Sequence, residues 1–292
     1  DPVLHMVVRI TAKRVPLFLQ AQRPRRYIVM QDTPTRYDPV HAVTCHLECD
    51  IAGCVNQVME RIQPRQDAAY TELFEQRASR VEAIIAGHIE GHQEITEPYV
   101  ARRLAELMPA HTALFVSNSM PIRDVDIYAG QAQAGIRVGV NRGASGIDGI
   151  VATAVGFAEG TQRLTTVLLG DLACIHDMNS LAMVAHCQQP MIVVVINNHG
   201  GGIFHFLPVA EQADVFESHF RTPHDLRFAG VAQTCGLAYS QPQTKAEFDE
   251  VYQGAVSKQQ TILIELVTDS KESFKIRKQM KRAILEALES SS

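Results

Sequence analysis

The sequence predicts an α/β protein whose larger part is a doubly wound parallel sheet, preceded by the end of a smaller, middle α/β domain. Between residues 113 and 267, apolar and β-branched runs of strand length alternate with segments whose apolar residues recur at helical spacing. Several of these runs end in polar or glycine-rich turns, which is typical of strands whose carboxyl ends carry a binding site.

The composition argues against several classes of protein. The chain has 292 residues, 46% hydrophobic and 20% charged, as expected for a globular protein with one large or two ordinary domains. A net charge of −5 argues against a dedicated nucleic-acid-binding protein. No apolar run approaches the ~18 residues that a membrane-spanning helix needs. The six cysteines lack regular spacing, which favours free thiols in a reducing compartment.

The chain divides into four predicted segments. Residues 1–65 are interpreted as the C-terminal part of the middle domain, 66–95 as a connecting helix, 96–268 as the main sheet domain and 269–292 as a C-terminal helix. The opening DPVLHMVVRI has neither an initiator Met nor the arrangement of a signal peptide, so we expect a fragment or a processed product.

The first segment is predicted to hold two helices and two strands, which is too little for an independent sheet. We expect helices over residues 9–20 and 51–62 and strands over residues 27–30 and around Cys45. A cluster of potential zinc ligands lies here, formed by His41, Cys45, His46, Cys49 and Cys54. Its spacing matches no paired Cys-x-x-Cys framework, so we interpret the cluster as structural.

From residue 69 onward the predicted elements alternate regularly. The predicted helices cover residues 69–89, 96–107, 148–159, 172–184, 228–235, 245–257 and 271–288, and the predicted strands cover residues 113–117, 135–140, 164–169, 191–196 and 262–267. The last helix has a basic face that we expect to be solvated.

Residues 170–204, with the strand predicted directly before them over residues 164–169, form the central unit of the prediction: strand, Gly-Asp turn, helix, strand and Asn-Asn turn. In a right-handed crossover both turns fall at the carboxyl ends of neighbouring strands, so Asp171 and Asn198 should lie side by side. A carboxylate, an amide oxygen and a carbonyl of the glycine turn suit Mg²⁺, and the N–H groups after Asp171 suit a phosphate. The alternative is that Asp171 only caps a helix and Asn198 only forms a turn.

Two further strand ends carry polar turns. Asn118, Ser119 and Arg123 follow the first strand, and the string NRGASG, which contains Arg142, follows the second. Two planar cations at the mouth of a site suit carboxylate substrates. The alternative is that each arginine pairs with a nearby acid, Asp124 or Asp148.

The remaining candidates near the predicted site have ordinary alternatives. Ile147 could support a bent cofactor or belong to the core. Four histidines occur in this region, His176, His186, His199 and His205, and we interpret them as structural or surface residues. The Gly-x-Ser-x-Gly nucleophile motif is absent, so hydrolase chemistry is poorly supported.

The strings SNSMPIRD, NRGASGIDG, GDLACIHDMNSLA and NNHGGGIFHFLP together carry a resemblance over residues 96–268. They resemble the MenD-type family of 2-succinyl-5-enolpyruvyl-6-hydroxy-3-cyclohexene-1-carboxylate (SEPHCHC) synthases, which use thiamine diphosphate (ThDP). ThDP enzymes in general share only the Gly-Asp and Asn-Asn frame, and Leu172 stands where they usually have a glycine-type residue. The resemblance continues more weakly into ITAKR and DPVH in the first segment.

The resemblance implies ThDP with Mg²⁺, or Mn²⁺, as cofactors in a diphosphate-binding domain. It implies metal ligation by the side chains of Asp171 and Asn198 and by the Gly200 carbonyl. The implied cofactor-binding residues are Asn118, Ser119, Ile147, Gly170, Asp171, Leu172, Ala173, Asn198 and Ile203. The implied catalytic residues are Arg123, Arg142 and Phe204. The implied substrate-binding residues are Lys13, Arg14, Ser119, Arg123, Arg142, Ile203, Phe204 and Leu207.

The implied reaction is decarboxylation of 2-oxoglutarate and conjugate addition of the resulting carbanion to isochorismate, in menaquinone or phylloquinone biosynthesis. ThDP enzymes also need a glutamate from a pyrimidine-binding domain, and the early acids Asp32, Glu48 and Asp50 lie in the wrong context. We therefore expect that domain to come from the same or a neighbouring chain, in a homodimer or homotetramer. We expect this polypeptide to be inactive alone.

Two alternatives stay open at this point. The first is another ThDP-dependent 2-oxo acid enzyme, similar to acetolactate synthase. The second is a non-catalytic module of a larger polypeptide. The expected location is the cytoplasm in a bacterium and the plastid in a plant or alga.

Overall fold

The structure, a computed structural model, describes residues 2–6, 10, 14–63 and 68–290. The chain forms two compact units, Asp1–Glu72 and Leu73–Ser292. No helix in these ranges is both long enough and apolar enough to cross a membrane.

The smaller unit is built on a three-stranded parallel sheet in the order β1-β2-β3. Its strands are β1 (Val3–Met6), β2 (Tyr27–Gln31) and β3 (Cys45–Glu48), and its helices are α1 (Arg14–Gln22) and α2 (Ile51–Met59). Leu19, Tyr27 and Val29 form its buried core. The prediction missed β1, whose four residues are too short to show a clear period. It also began the first helix too early, since Ile10 is not helical.

The larger unit contains the regular alternation that the sequence predicts. Its helices are α3 (Ala69–Gly91, within which the division between the units falls), α4 (Glu97–Leu107), α5 (Met120–Tyr128), α6 (Ile150–Thr161), α7 (Asp171–His176), α8 (Leu181–His186), α9 (Ala213–Val215), α10 (Ala229–Thr234), α11 (Lys245–Ser257) and α12 (Ser270–Glu289). Its strands are β4 (Ala113–Val116), β5 (Arg137–Val140), β6 (Thr165–Gly170), β7 (Met191–Asn197), β8 (Ala238–Ser240) and β9 (Ile262–Val267).

The six strands of the larger unit form one parallel sheet in the order β5-β4-β6-β7-β9-β8. From β4 the chain moves to one side to form β5, and it then returns to form β6 on the other side of β4. Between β4 and β6 the strand order therefore reverses, and open α/β sheets bind ligands at such a point.

Helices cover both faces of this sheet, which confirms the predicted doubly wound α/β architecture. Successive residues of a strand point to opposite faces of the sheet. On one face, Leu168 and Val194 pack with α3, α4, α11 and α12. On the other face, Val167 and Val193 pack with α6, α7, α8 and α10. All four side chains are fully buried. Burial on both faces explains why the central strands are continuous apolar runs without alternation.

The helix predicted over residues 172–184 is interrupted. α7 ends at His176, a short 3₁₀ turn covers Met178–Ser180, and α8 then begins. At the break, the Asp177 carboxylate accepts hydrogen bonds from Ala152 N (2.9 Å) and Ser180 Oγ (2.6 Å). Asp177 thus caps the N-terminus of α6, and this contact between distant segments has no signal in local periodicity.

The basic face predicted for the last helix is not wholly solvated. Arg277 of α12 is 7% exposed and forms an ion pair with Asp124 of α5. The sequence predicts a polar turn in place of α5, because Pro121 and the charged residues after it obscure the helical period.

Removal of one partner of a buried hydroxyl pair should destabilise the larger unit. Thr166 Oγ1 and Tyr252 Oη are 2.7 Å apart, and both residues are fully buried. We expect Tyr252→Phe to lower the free energy of unfolding in urea by about 1–3 kcal/mol, because it leaves the Thr166 hydroxyl unpaired. The control is Thr166→Val/Tyr252→Phe, which removes both polar groups and should recover most of the loss. An equal loss of stability in the double variant would contradict the explanation that the unpaired Thr166 hydroxyl causes the loss.

Candidate active site

A cavity of about 380 Å³ opens at the carboxyl ends of β4, β6 and β7, beside the point where the strand order reverses. The residues that the sequence singled out and that line this cavity are Asn118, Ser119, Arg123, Arg142, Ile147, Gly170, Asp171, Leu172, Ala173, Asn198, Gly200, Ile203 and Phe204. The parallel sheet thus brings four separate turns of the sequence to one place.

Asp171 joins the turn after β6 to the turn after β7. Its side chain is almost fully buried, and its Oδ2 accepts a hydrogen bond from Gly200 N at 3.0 Å. Its Oδ1 accepts a hydrogen bond from Leu172 N at 2.6 Å. The sequence predicts that this N–H group is free to bind a phosphate, but in the structure it is already bonded to Asp171. Burial raises the pKa of the Asp171 carboxyl, and the two N–H donors offset part of this effect.

Gly200 has a backbone geometry that other residues would not tolerate. Its φ is +144°, and an added Cβ would lie 2.4 Å from the backbone oxygen of Arg221. The Gly200 carbonyl accepts a hydrogen bond from Gly202 N at 3.0 Å and keeps a second lone pair. The glycine turn is therefore held in one shape next to Asp171.

Asn198 presents an unusual buried polar atom. The side chain is 8% exposed, and its Nδ2 donates to Glu97 Oε1 at 2.7 Å. Its Oδ1 is buried and has no hydrogen-bond partner. A buried acceptor without a partner is costly in a native protein, and such an atom often contacts a bound ion. The neighbouring Asn197 lies outside the cavity lining and donates instead to Glu265 and the Leu226 carbonyl.

A buried charged cluster lies behind Asn198. Arg277 donates to Glu97 Oε2 at 2.6 Å and to both oxygens of Asp124 at 2.7 and 2.8 Å. Glu97, Asp124 and Arg277 are 2%, 1% and 7% exposed. Burial lowers the pKa of Arg277, but the two carboxylates outweigh this effect, so its pKa is raised and it stays a cation.

The two arginines at the mouth of the cavity do not pair with the acids considered from sequence. Asp124 is occupied by Arg277, while Arg123 donates to the Ser119 carbonyl. Arg142 donates to Asn118 Oδ1 at 2.9 Å. Burial, together with the neighbouring Arg142 cation, lowers the pKa of Arg123. Two like charges are thus held close together at the opening.

Asn118 and Ser119 shape the polar side of the cavity. Asn118 Nδ2 donates to the carbonyls of Asn141 and Gly146, at 2.8 and 2.7 Å, and so fixes the NRGASG loop. Ser119 has φ +70° and ψ −129°, a strained conformation for a residue with a side chain. Strain of this kind is concentrated at ligand-binding sites.

Apolar side chains form another part of the cavity wall. Ile203 and Phe204 lie on a 3₁₀ turn over Gly202–Phe206, where the Phe204 ring packs edge-on against Phe220 at 5.8 Å between ring centroids. Ile147 lines the cavity and also packs against the buried core, so its core role is observed, while its support of a bent cofactor stays a prediction.

Of the three remaining predicted site residues, only one belongs to the described part of the larger unit. Leu207 is 46% exposed and does not line the cavity. Lys13 lies outside the described residues. Arg14 is the first residue of α1 in the smaller unit. The roles of all three remain predictions.

Sequence reasoning missed Glu97, Asp124, Arg277 and His224. His224 Nε2 lies 3.2 Å from Asp171 Oδ2 without the alignment of a hydrogen bond. Nothing in local sequence marks these residues, because each meets its partner across a large sequence separation. The four histidines considered earlier do not line the cavity, and no group of three His, Cys, Asp or Glu in the described ranges is placed to bind a metal.

Comparisons with known proteins agree with this geometry. The family profile described as the middle domain of thiamine pyrophosphate matches residues 1–116. The profile described as the C-terminal TPP-binding domain of thiamine pyrophosphate enzymes matches residues 136–266, which include the turns after β5, β6 and β7.

Curated relatives named 2-succinyl-5-enolpyruvyl-6-hydroxy-3-cyclohexene-1-carboxylate synthase are similar along almost the whole chain. The protein of Rubrobacter xylanophilus is 40% identical over 280 residues, which is 94% of this chain and 48% of the relative. The protein of Prosthecochloris aestuarii is 35% identical over 290 residues, 99% of this chain and 49% of the relative. The chain thus spans about half the length of the curated relatives it matches. The comparisons confirm the resemblance to the SEPHCHC synthases, and the chain belongs to the thiamine pyrophosphate enzyme family.

Proposed function

We propose that this chain supplies the diphosphate side of the active site of a SEPHCHC synthase. In this proposal the whole enzyme decarboxylates 2-oxoglutarate and transfers the remaining unit to isochorismate, with ThDP and Mg²⁺ as cofactors. The observation that carries the proposal is the buried Asn198 Oδ1, which has no partner and lines the same cavity as Asp171 and Gly200.

The donor set fits a hard cation. Asp171 would contribute a carboxylate, Asn198 an amide oxygen and Gly200 a carbonyl, and Mg²⁺ prefers oxygen ligands of this kind. Mg²⁺ commonly completes its shell with phosphate oxygens, so these residues would hold the diphosphate of ThDP through the metal. Mn²⁺ has similar ligand preferences and should substitute.

The arginines would bind the acidic substrates. Arg123 and Arg142 are held at the opening by Ser119 O and Asn118 Oδ1, so their remaining N–H groups can face a carboxylate. 2-Oxoglutarate and isochorismate are both carboxylates, and a planar guanidinium can bind a carboxylate through two hydrogen bonds.

The apolar wall would favour loss of the substrate carboxylate. When bound, ThDP supplies the electron sink for decarboxylation. Ile203 and Phe204 would exclude water from the reacting carbon, and a site of low polarity disfavours the charged carboxylate relative to neutral CO₂. Ile147 would contact and support the bound cofactor.

The carboxylates of the cavity lining are already committed to other groups. Glu97 binds Asn198 and Arg277, while Asp171 binds the N–H groups of Leu172 and Gly200. In this proposal, neither would activate the pyrimidine ring of ThDP. We therefore propose that this step needs a glutamate of a pyrimidine-binding domain, and that the 292-residue polypeptide does not turn over alone.

A reconstitution assay tests the proposed function. The chain is mixed with 2-oxoglutarate, isochorismate, ThDP and Mg²⁺, with and without the separately produced pyrimidine-binding domain of a SEPHCHC synthase. We expect SEPHCHC only in the mixture that contains the added domain. Turnover without the domain would contradict the proposed half-site. Activity with pyruvate alone would favour an enzyme similar to acetolactate synthase. Binding of ThDP and Mg²⁺ without turnover in any mixture would favour a non-catalytic module.

Replacement of Arg123 should weaken substrate binding without affecting the cofactor. In the reconstituted enzyme we expect Arg123→Gln to raise the KM of one acidic substrate by roughly 10- to 100-fold, as for the loss of one charged hydrogen bond. The affinity for ThDP and Mg²⁺, measured by calorimetry, should stay unchanged. Arg282→Gln is the control, because this arginine is solvent-exposed on α12. An unchanged KM for both substrates would refute the role of Arg123.

Addition of one methyl group at Gly200 should abolish cofactor binding. We expect Gly200→Ala to lose calorimetric binding of ThDP with Mg²⁺, because the Cβ would collide with the Arg221 backbone and distort the turn. The strained φ should also lower the free energy of unfolding by about 1–3 kcal/mol. Gly156→Ala is the matched control, since an added Cβ meets nothing within 4 Å there. Normal binding by Gly200→Ala would exclude the turn from the cation site.

A further inference from the structure

We propose that Glu97 is a positioning residue for cation binding: it orients the Asn198 amide so that its oxygen, and not its nitrogen, faces the cation. This inference rests on the proposed function of the cavity as a ThDP and Mg²⁺ site. Glu97 would not contact the cation itself. Its carboxylate lies behind Asn198, where Oε1 accepts from Asn198 Nδ2 at 2.7 Å.

The chemistry of a primary amide makes this orientation decisive. An asparagine side chain has a donor end and an acceptor end of nearly the same shape, and only the oxygen can bind a cation. An ionised carboxylate is a pure acceptor, so Glu97 attracts the NH₂ end of Asn198 and repels the oxygen end. The observed arrangement agrees, because Asn198 Oδ1 is buried without a protein partner.

Arg277 holds the Glu97 carboxyl group in place. It donates to Glu97 Oε2 at 2.6 Å, while two further contacts of 2.7 and 2.8 Å hold the same nitrogen against Asp124. Glu97, Asp124 and Arg277 come from α4, α5 and α12. Helices on one face of the sheet therefore hold the orientation of Asn198, which lies at the carboxyl end of β7. Supporting contacts of this kind commonly change metal affinity by about 10- to 100-fold when they are removed.

Replacement of Glu97 by glutamine should reverse the amide of Asn198. The oxygen of the new glutamine would turn to the Arg277 cation, which places the glutamine NH₂ group against Asn198. Asn198 would then direct its own oxygen to the glutamine and its own NH₂ group into the cavity. The variant Glu97→Gln keeps the size of the side chain, so the expected loss is one of cation affinity.

A second substitution should restore the site. In Glu97→Gln/Asn198→Asp, one carboxylate oxygen of the new aspartate accepts from the NH₂ group of the new glutamine, and the other faces the cavity. The total charge of the pair is the same as in the original chain. Asn198→Asp alone should be defective, because its carboxylate would face that of Glu97 across the present distance of 2.7 Å.

The test is a titration of the chain with Mn²⁺ in the presence of ThDP, in which free Mn²⁺ is followed by electron paramagnetic resonance. Urea unfolding of each variant is measured in parallel. We expect Glu97→Gln to weaken Mn²⁺ binding by about 10- to 100-fold. Glu97→Gln/Asn198→Asp should recover to within a few-fold of the original chain. Tyr252→Phe is the matched control: it should lower stability from the core of the same unit, with little change in affinity, because Tyr252 bonds Thr166 and none of the side chains around Asn198.

The outcomes separate this inference from the proposed function. No Mn²⁺ binding by the original chain, or full binding by Asp171→Ala, would overturn the proposed cation site and with it the role of Glu97. If the original chain binds and Asp171→Ala does not, normal binding by Glu97→Gln would overturn only the positioning role. An equal loss in Tyr252→Phe, or a folded double variant that does not recover, would assign Glu97 to stability. The same conclusion would follow if both Glu97 variants fail to fold while Tyr252→Phe folds.

Discussion

The reversal of strand order between β4 and β6 is the constraint on which the rest of the site depends. The two strands are neighbours and run in the same direction, but the chain leaves them toward opposite sides of the sheet. Their connecting segments therefore diverge, and a crevice stays open at the carboxyl ends. The candidate ligand-binding groups of the cavity lining come from the turns after β4 and β6, which flank this crevice, and from the turns after β5 and β7, the next strands outward.

The turns around the crevice are held by buried polar side chains from elsewhere in the chain. Asn118 fixes the NRGASG loop through two carbonyls, and Asp171 holds the glycine turn through Gly200 N. Glu265 on β9 accepts from Asn197, Phe228 N and the Tyr239 hydroxyl, so it anchors the segment that follows β7. Satisfied networks of this kind rigidify a structure, because each buried polar group would be costly without its partner. The cavity is consequently shaped before any ligand arrives.

Charge is distributed unevenly around this cavity. Behind it, the carboxyl groups of Glu97 and Asp124 surround the single Arg277 cation, and the Asp171 carboxyl group lines the base of the cavity. At the opening, Arg123 and Arg142 contribute positive charge and are held by neutral acceptors. A cation would thus be drawn toward the base of the cavity and carboxylates toward its mouth, although the chain as a whole is acidic.

The sequence by itself determined the class of fold and much of the cavity lining. Continuous apolar runs such as that of β7 identify strands buried on both faces, and the turns after them identify Asp171, Asn198 and Arg142, because strand ends in parallel sheets meet at one edge. Only the tertiary structure decided where α7 ends, that the Asn198 amide directs its NH₂ group to Glu97, and that Asp124 pairs with Arg277 and not with Arg123. These outcomes depend on contacts between residues far apart in the chain, such as Asp177 with Ala152 and Glu97 with Asn198. Local periodicity reports the environment of a residue's own helix or strand, and it carries no information about a hydrogen-bond partner from another element.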